Sequence, residues 1–125
     1  VSFLLLDTHV FIWWAESSSR LCKTWVEGIL NESNTVYVSA VTAWEIETKK
    51  RINKMDFDDE VAVVVGKFGF EQLAVTMGHA SAAGSLDWDH RDPFDRMLVA
   101  QALQNDMILL SADEAMRSAP GVRVL

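Results

Sequence analysis

FLLLDTHV, residues 3–10, decides how the rest of the chain is read. Four apolar residues in a row, Phe3 to Leu6, have the length and continuity of a strand buried on both faces, as in a parallel sheet. Asp7 and Thr8 stop the run, and Val10 to Ala15, with Phe11, Ile12, Trp13 and Trp14, reads as a helix. In an open α/β sheet, ligands bind outside the carboxyl ends of the strands, which is where an acid in this position would stand.

The same alternation recurs downstream. Ser17 to Ser19 break the first helix and supply an N-cap for a second, in which Leu21, Trp25, Val26, Ile29 and Leu30 form one apolar face. Asn31 to Asn34 is a turn, and Val36, Tyr37 and Val38 read as a second strand. Ser39 opens a helix from about Val41 to Arg51, with Glu45 about one turn in. The acidic start of Asp58 to Phe68 favours a helix over a strand there. Phe70 to Val75 reads as a third strand, Thr76 caps a small-residue helix through Ala83, and Asp87 to Asp92 is a polar loop. Asp92 and Pro93 are N-cap and first position of a helix through Leu103. Met107 to Leu110 is a fourth strand, Ser111 and Glu114 predict a capping box, and Val122 to Leu125 is a fifth, edge strand. Strands alternating with helices predict an α/β fold with a central parallel sheet of four to five strands and helices on both faces.

On that fold Asp7, Glu45, Asp95 and Asp113 share one edge of the sheet. Two carboxylates about 6 Å apart at an effective dielectric near 20 repel by roughly 3 kcal/mol. That is costly for a domain whose whole stability is about 5–15 kcal/mol. A hard divalent cation, Mg²⁺ or Mn²⁺, resolves the conflict through oxygen ligands and water.

Composition bounds the alternatives. At 125 residues, half of them hydrophobic, the chain fits a single domain with a sizeable core. The lone Cys22 excludes an internal disulfide, and with His9, His79 and His90 it makes no zinc-ligand spacing, so a reducing cytoplasm is the expected location. No apolar run reaches the roughly 20 residues of a membrane span. The net charge of −7 argues against a general electrostatic grip on nucleic acid. Local basic groups remain: Lys49, Lys50, Arg51 and Lys54 follow Glu45, and Arg91 and Arg96 flank Asp95. Lys49, Arg91 or Arg96 are the candidates to meet an anionic group at this edge.

The segments LLLDTHVFIWW, VSAVTAWEI, HRDPFDRMLVAQAL and ILLSADEAM, in that order, resemble a PIN domain of the VapC toxin family over nearly the whole chain. The resemblance implies a Rossmann-like α/β/α sandwich, a Mg²⁺- or Mn²⁺-dependent ribonuclease, and a cognate antitoxin whose C-terminal segment covers the site. It matches Asp7 to the acid ending the first strand, Glu45 to the acid in the helix after the second, Asp95 to the acid of PFDR and Asp113 to the acid after the fourth strand. Thr8 and Ser111 match the small hydroxyl residues beside those acids.

Each acid also has a purely structural explanation. Asp7 could cap the first helix, Glu45 could pair with Lys49 at i+4 for about 0.2–0.5 kcal/mol, and Asp95 and Asp113 sit where helix dipoles favour an acid. Asp92 is accounted for as an N-cap. Trp25 and Trp44 are expected in the core; Trp13 and Trp14 cannot share a helix face, so one is expected exposed, at a dimer or antitoxin contact. His9 and His90 lie near the acids without an evident partner. The rival readings are a phosphatase using Asp7 as nucleophile, which would want a second acid where His9 stands, and an inactive PIN-like module binding RNA or protein. No Gly-rich turn follows the first strand, which removes a dinucleotide-binding fold.

Overall fold

A computed structural model describes residues 1–125. Its elements are β1 (Phe3–Leu6), α1 (Thr8–Ala15), α2 (Lys23–Leu30), β2 (Thr35–Ser39), α3 (Ala40–Arg51), α4 (Val61–Lys67), β3 (Glu71–Leu73), α5 (Met77–Ser85), α6 (Pro93–Gln104), β4 (Ile108–Leu110), α7 (Glu114–Arg117) and β5 (Arg123–Val124). The five strands form one all-parallel sheet in the order β3-β2-β1-β4-β5. The chain therefore leaves β1 towards one side and returns to β4 on the other, so the switch in strand order falls between β1 and β4, where open α/β sheets form their ligand crevice.

Alternation along β1 divides the interior into two cores, because successive side chains of a strand point to opposite faces. Leu4 and Leu6 pack with Phe11 of α1, Trp25 and Ile29 of α2, and Val61, Val64 and Val65 of α4. Leu5 faces the other way, against Leu98, Val99 and Ala102 of α6, Leu109 of β4 and Met116 of α7. Helix α3 serves both layers, giving Ile46 to the first and Val41 to the second. Each buried aliphatic or aromatic side chain contributes roughly 1.5–3 kcal/mol relative to exposure, so these layers fix the sheet whose edge carries the acids. Helix α5 packs on α6, and Gly69, at φ +71°, makes the left-handed turn that leads from α4 towards β3.

Several local expectations are corrected. The serines at 17–19 do not cap α2: Ser17 sits at φ 54° in the turn after α1, and Cys22 takes the N-cap position without a side-chain bond. β3 is shorter than Phe70–Val75, and α1 starts at Thr8 rather than Val10. The N-cap of α7 is Asp113, whose carboxylate accepts from the Ala115 amide, not a Ser111–Glu114 capping box. Trp44 is not core; it is 60% exposed, edge-on to Phe94. Trp13 and Trp14 are both half-buried, Trp13 stacked on Trp25 and Trp14 against Phe68 and Phe70, so neither is the exposed aromatic expected there.

Candidate active site

Asp7 is fixed first by backbone. Its amide donates to the Leu110 carbonyl at 3.0 Å, which carries the β1–β4 ladder one residue past β1. It stands at the N-cap position of α1, yet its side chain makes no capping bond to that helix. The carboxylate instead accepts from the buried Ser111 hydroxyl, 2.5 Å from Oδ2, just beyond the end of β4. Helix capping therefore does not explain a buried acid here. Burial raises the Asp7 carboxyl above its ordinary value, with the charge of Glu45 adding to the rise and Ser111 and His9 opposing it.

Glu45 reaches the same place from α3. Ser39 caps that helix by accepting from the Val41 amide, and the faces turned inward present Val41, Thr42, Glu45 and Ile46. Glu45 is 3% exposed, and its Oε2 accepts from Lys49 Nζ at 2.5 Å. The i+4 pair exists, but it is no solvated surface pair. Burial works against the Lys49 charge; the hydrogen bond and charge of Glu45, with the charges of Asp92 and Asp95 behind them, outweigh it and raise the ammonium above its usual range. One lysine thus feels three of the local acids. Below this level Thr8 and Thr42, both fully buried, share a hydrogen bond at 3.2 Å that ties α1 to α3.

Asp95 comes from the first turn of α6. Asp92 accepts from the amides of Phe94 and Asp95, and Pro93 occupies the start, so the helix begins here for local reasons. Asp95 Oδ2 lies 2.7 Å from His90 Nε2. Burial pushes the Asp95 carboxyl up to about 6; the hydrogen bond from His90 opposes this, and the charges of Asp92 and Asp7 reinforce it.

Asp7, Glu45 and Asp95 are therefore brought into one electrostatic neighbourhood from three separate elements, with Asp92 at its border. Asp113 is exposed at the start of α7 and engaged as a cap; its link to the group is the Ser111 hydroxyl, which accepts from the Asp113 amide while donating to Asp7. Arg96 is not free for a substrate, because its guanidinium is spent on main-chain carbonyls. Arg91 is exposed.

No three His, Cys, Asp or Glu side chains stand together as a ready-made ligand group. The reason is visible in the partners: each acid has turned to its own donor, Asp7 to Ser111, Glu45 to Lys49 and Asp95 to His90. Uncompensated carboxylates in a dry site take whatever positive or N–H and O–H partner is near. A donor set of carboxylate oxygens suits a hard divalent cation, and the raised Asp7 and Asp95 carboxyls are those whose charge such a cation would restore.

Nothing in the sequence pairs His90 with Asp95: the contact is made by a loop, five residues before Asp95, and no periodicity announces it. Thr42 is signalled only by its position three residues before Glu45 on one helix face.

No curated protein matches the chain in sequence. Among solved structures it is similar to DNA-bound VapBC from Salmonella typhimurium, at 19% identity and a TM-score of 0.72 over 100% of this chain and 98% of that one. It is similar in the same way to VapBC2 from Rickettsia felis bound to a promoter DNA fragment, at 12% identity and a TM-score of 0.72 over 98% and 97% of the two chains. The PIN domain endonuclease Utp24 aligns at 17% identity and a TM-score of 0.54 over 98% of this chain and 83% of its own. At such identities the likeness is one of fold. The model of the PIN domain matches residues 4–122, and the chain belongs to the PIN domain family.

Proposed function

We propose that the chain is a Mg²⁺- or Mn²⁺-dependent endoribonuclease acting as the toxin of a toxin–antitoxin pair. PIN domains are nucleases. The observation that supports the reading is the electrostatic coupling of Asp7, Glu45 and Asp95, carried by three separate elements, with both aspartates raised by burial. Asp7 and Asp95 are the primary ligands for the ion, Glu45 a ligand or the group that orients water, and Asp113 a ligand or a supporting residue at the rim. When bound, such an ion supplies an acidified water and a counter-charge for the phosphoryl oxygens.

The chain's own residues do the rest. Ser111 holds Asp7 in one orientation, His90 does so for Asp95, and Lys49 holds Glu45 while placing a cation at the crevice. Water attacks phosphorus in line, the P–O3′ bond breaks, and the products are the 5′-phosphate and 3′-hydroxyl ends that the family resemblance implies. Lys49 and Arg91 are the cations for the substrate phosphate, with Arg96 withdrawn from that role. A basic antitoxin segment bringing Arg or Lys to the acidic crevice would occupy it much as a cation does. The similarity to VapBC and to the FitAcB structure from Neisseria gonorrhoeae supports such a partner. A homodimer belongs to the same reading. No helix of the structure is long and apolar enough to cross a membrane.

The test is cleavage of a structured RNA by the purified protein with Mg²⁺ or Mn²⁺ and its arrest by EDTA. Cleavage undiminished in EDTA rules out the metal mechanism. Hydrolysis of phosphomonoesters alone returns the phosphatase, and binding of RNA without cutting returns the inactive module.

A further inference from the structure

Arg96 leaves the first turn of α6 one residue after Asp95, and its guanidinium donates four hydrogen bonds to main-chain carbonyls. Nε bonds Ala83 at 3.0 Å, Nη1 bonds Trp88 at 2.7 Å and His90 at 3.0 Å, and Nη2 bonds Leu86 at 2.8 Å. Residues 86–92 form neither helix nor strand, and this fork ties their carbonyls to α6 while Leu86 and Trp88 pack against the second core. A lysine could not do the same, because one ammonium on a flexible stem lacks the planar, divergent donors that reach four acceptors.

The consequence converges on one ring. His90 is held by its carbonyl through Arg96, by its imidazole stacked on Trp88 with centroids 4.6 Å apart at 29°, and by Nε2 against Asp95 Oδ2 at 2.7 Å. An ionised carboxylate can only accept, so the imidazole donates in that contact. Oδ2 is thereby committed, and Oδ1 is the oxygen of Asp95 that no side chain or amide in the chain engages.

We propose that His90 is a positioning residue which, locked in place by the Arg96 fork, fixes the orientation in which the Asp95 carboxylate would meet the divalent cation. The inference rests on the metal-nuclease reading and adds to it the two residues that set the geometry of one ligand. Residues behind a metal ligand typically contribute 10–100-fold in affinity or activity when removed. A bare loop staple would instead cost stability and leave ion affinity alone.

The experiment is calorimetric titration of the full chain with Mn²⁺ and with Mg²⁺ at constant pH, beside urea unfolding of each variant. His90→Ala is expected to weaken ion affinity by about 10–100-fold. His90→Gln, whose amide N–H can still donate, recovers part of the loss. Arg96→Lys weakens affinity by a similar factor, and His90→Ala combined with Arg96→Lys is no worse than either alone, because both act on the same contact. Unchanged affinity in His90→Ala overturns the proposal, as do additive losses in the double variant. Should Arg96→Lys fail to fold, the contrast between His90→Ala and His90→Gln decides, and equal losses in the two overturn it. A wild-type chain that takes up neither ion overturns the metal-nuclease reading and this proposal together, whereas a wild type that binds while His90→Ala binds equally well overturns only this one.

Discussion

Replacing Asp95 by asparagine keeps the shape of the side chain and removes its charge. Burial raises the Asp95 carboxyl from 3.8 to about 6, against the pull of His90 and with the charges of Asp92 and Asp7 adding to it. A rise of about 2 pH units corresponds to roughly 3 kcal/mol carried by the charged form at neutral pH. The side chain is only 14% exposed, so solvent relieves little of that cost. Opposing it is the loss of an acid from the first helical turn, about 0.3–1 kcal/mol; the bond from His90 is already contained in the net rise. The metal-free variant should therefore be more stable by about 2–3 kcal/mol at neutral pH, a melting temperature higher by roughly 6–15 °C.

The pH dependence has a definite sign. Because the folded carboxyl sits above its unfolded value, its destabilisation is complete above pH about 6, shrinks as the pH falls towards 3.8, and is absent below that. Urea unfolding in EDTA, run at several pH values, should show the variant ahead at neutral pH and the two proteins drawing together on acidification. A variant less stable at neutral pH, or an advantage that does not change with pH, would refute the crowded-carboxylate argument and return Asp95 to an ordinary place at a helix start.

Three further outcomes follow from the same contacts. Mg²⁺ should raise the wild-type melting temperature by mass action, by the equivalent of about 2.7 kcal/mol at 100 times the dissociation constant, and Asp95→Asn should show little of that shift. Ser111→Ala removes the hydroxyl that Asp7 depends on, so it should destabilise the metal-free protein at neutral pH by about 1–3 kcal/mol, opposite in sign to Asp95→Asn. A Ser111→Ala variant as stable as wild type would mean that Asp7 does not depend on this hydroxyl. Light scattering at micromolar concentration should give the mass of a dimer, and a monomer would remove the homodimer from the proposed function.

The sheet was legible because its central strands are continuous apolar runs, and Leu4 to Leu6 and Ile108 to Leu110 need no partner to be recognised. Caps were harder. Ser111 looks like the first residue of a capping box until its hydroxyl is seen to serve Asp7, a demand made from 104 residues away that no local pattern carries. Trp44 stands three residues after Val41, which suggests a shared core face; on α3 the inward directions are taken by Val41, Thr42, Glu45 and Ile46, and the indole is left outside. The acids themselves could be picked out by their positions after strands, but the donor attached to each is a tertiary fact. His90 and Arg96 belong to this class: the loop between α5 and α6 reads as polar spacer, and the helix residue that gathers its carbonyls is visible only in the folded chain.

The bond from Ser111 to Asp7 also dates the site in the life of a chain. The first acid is synthesised almost at once, but the hydroxyl that orients it lies 104 residues later, and at about 5–20 residues per second that is roughly 5–20 s of translation. Until β4 has emerged and paired beside β1, a nascent chain holds Asp7 with neither its ladder partner Leu110 nor Ser111. On the proposed reading, activity built across this seam would arise only after β4 has paired beside β1, and the interval would give an inhibitory partner time to be present before the site is complete.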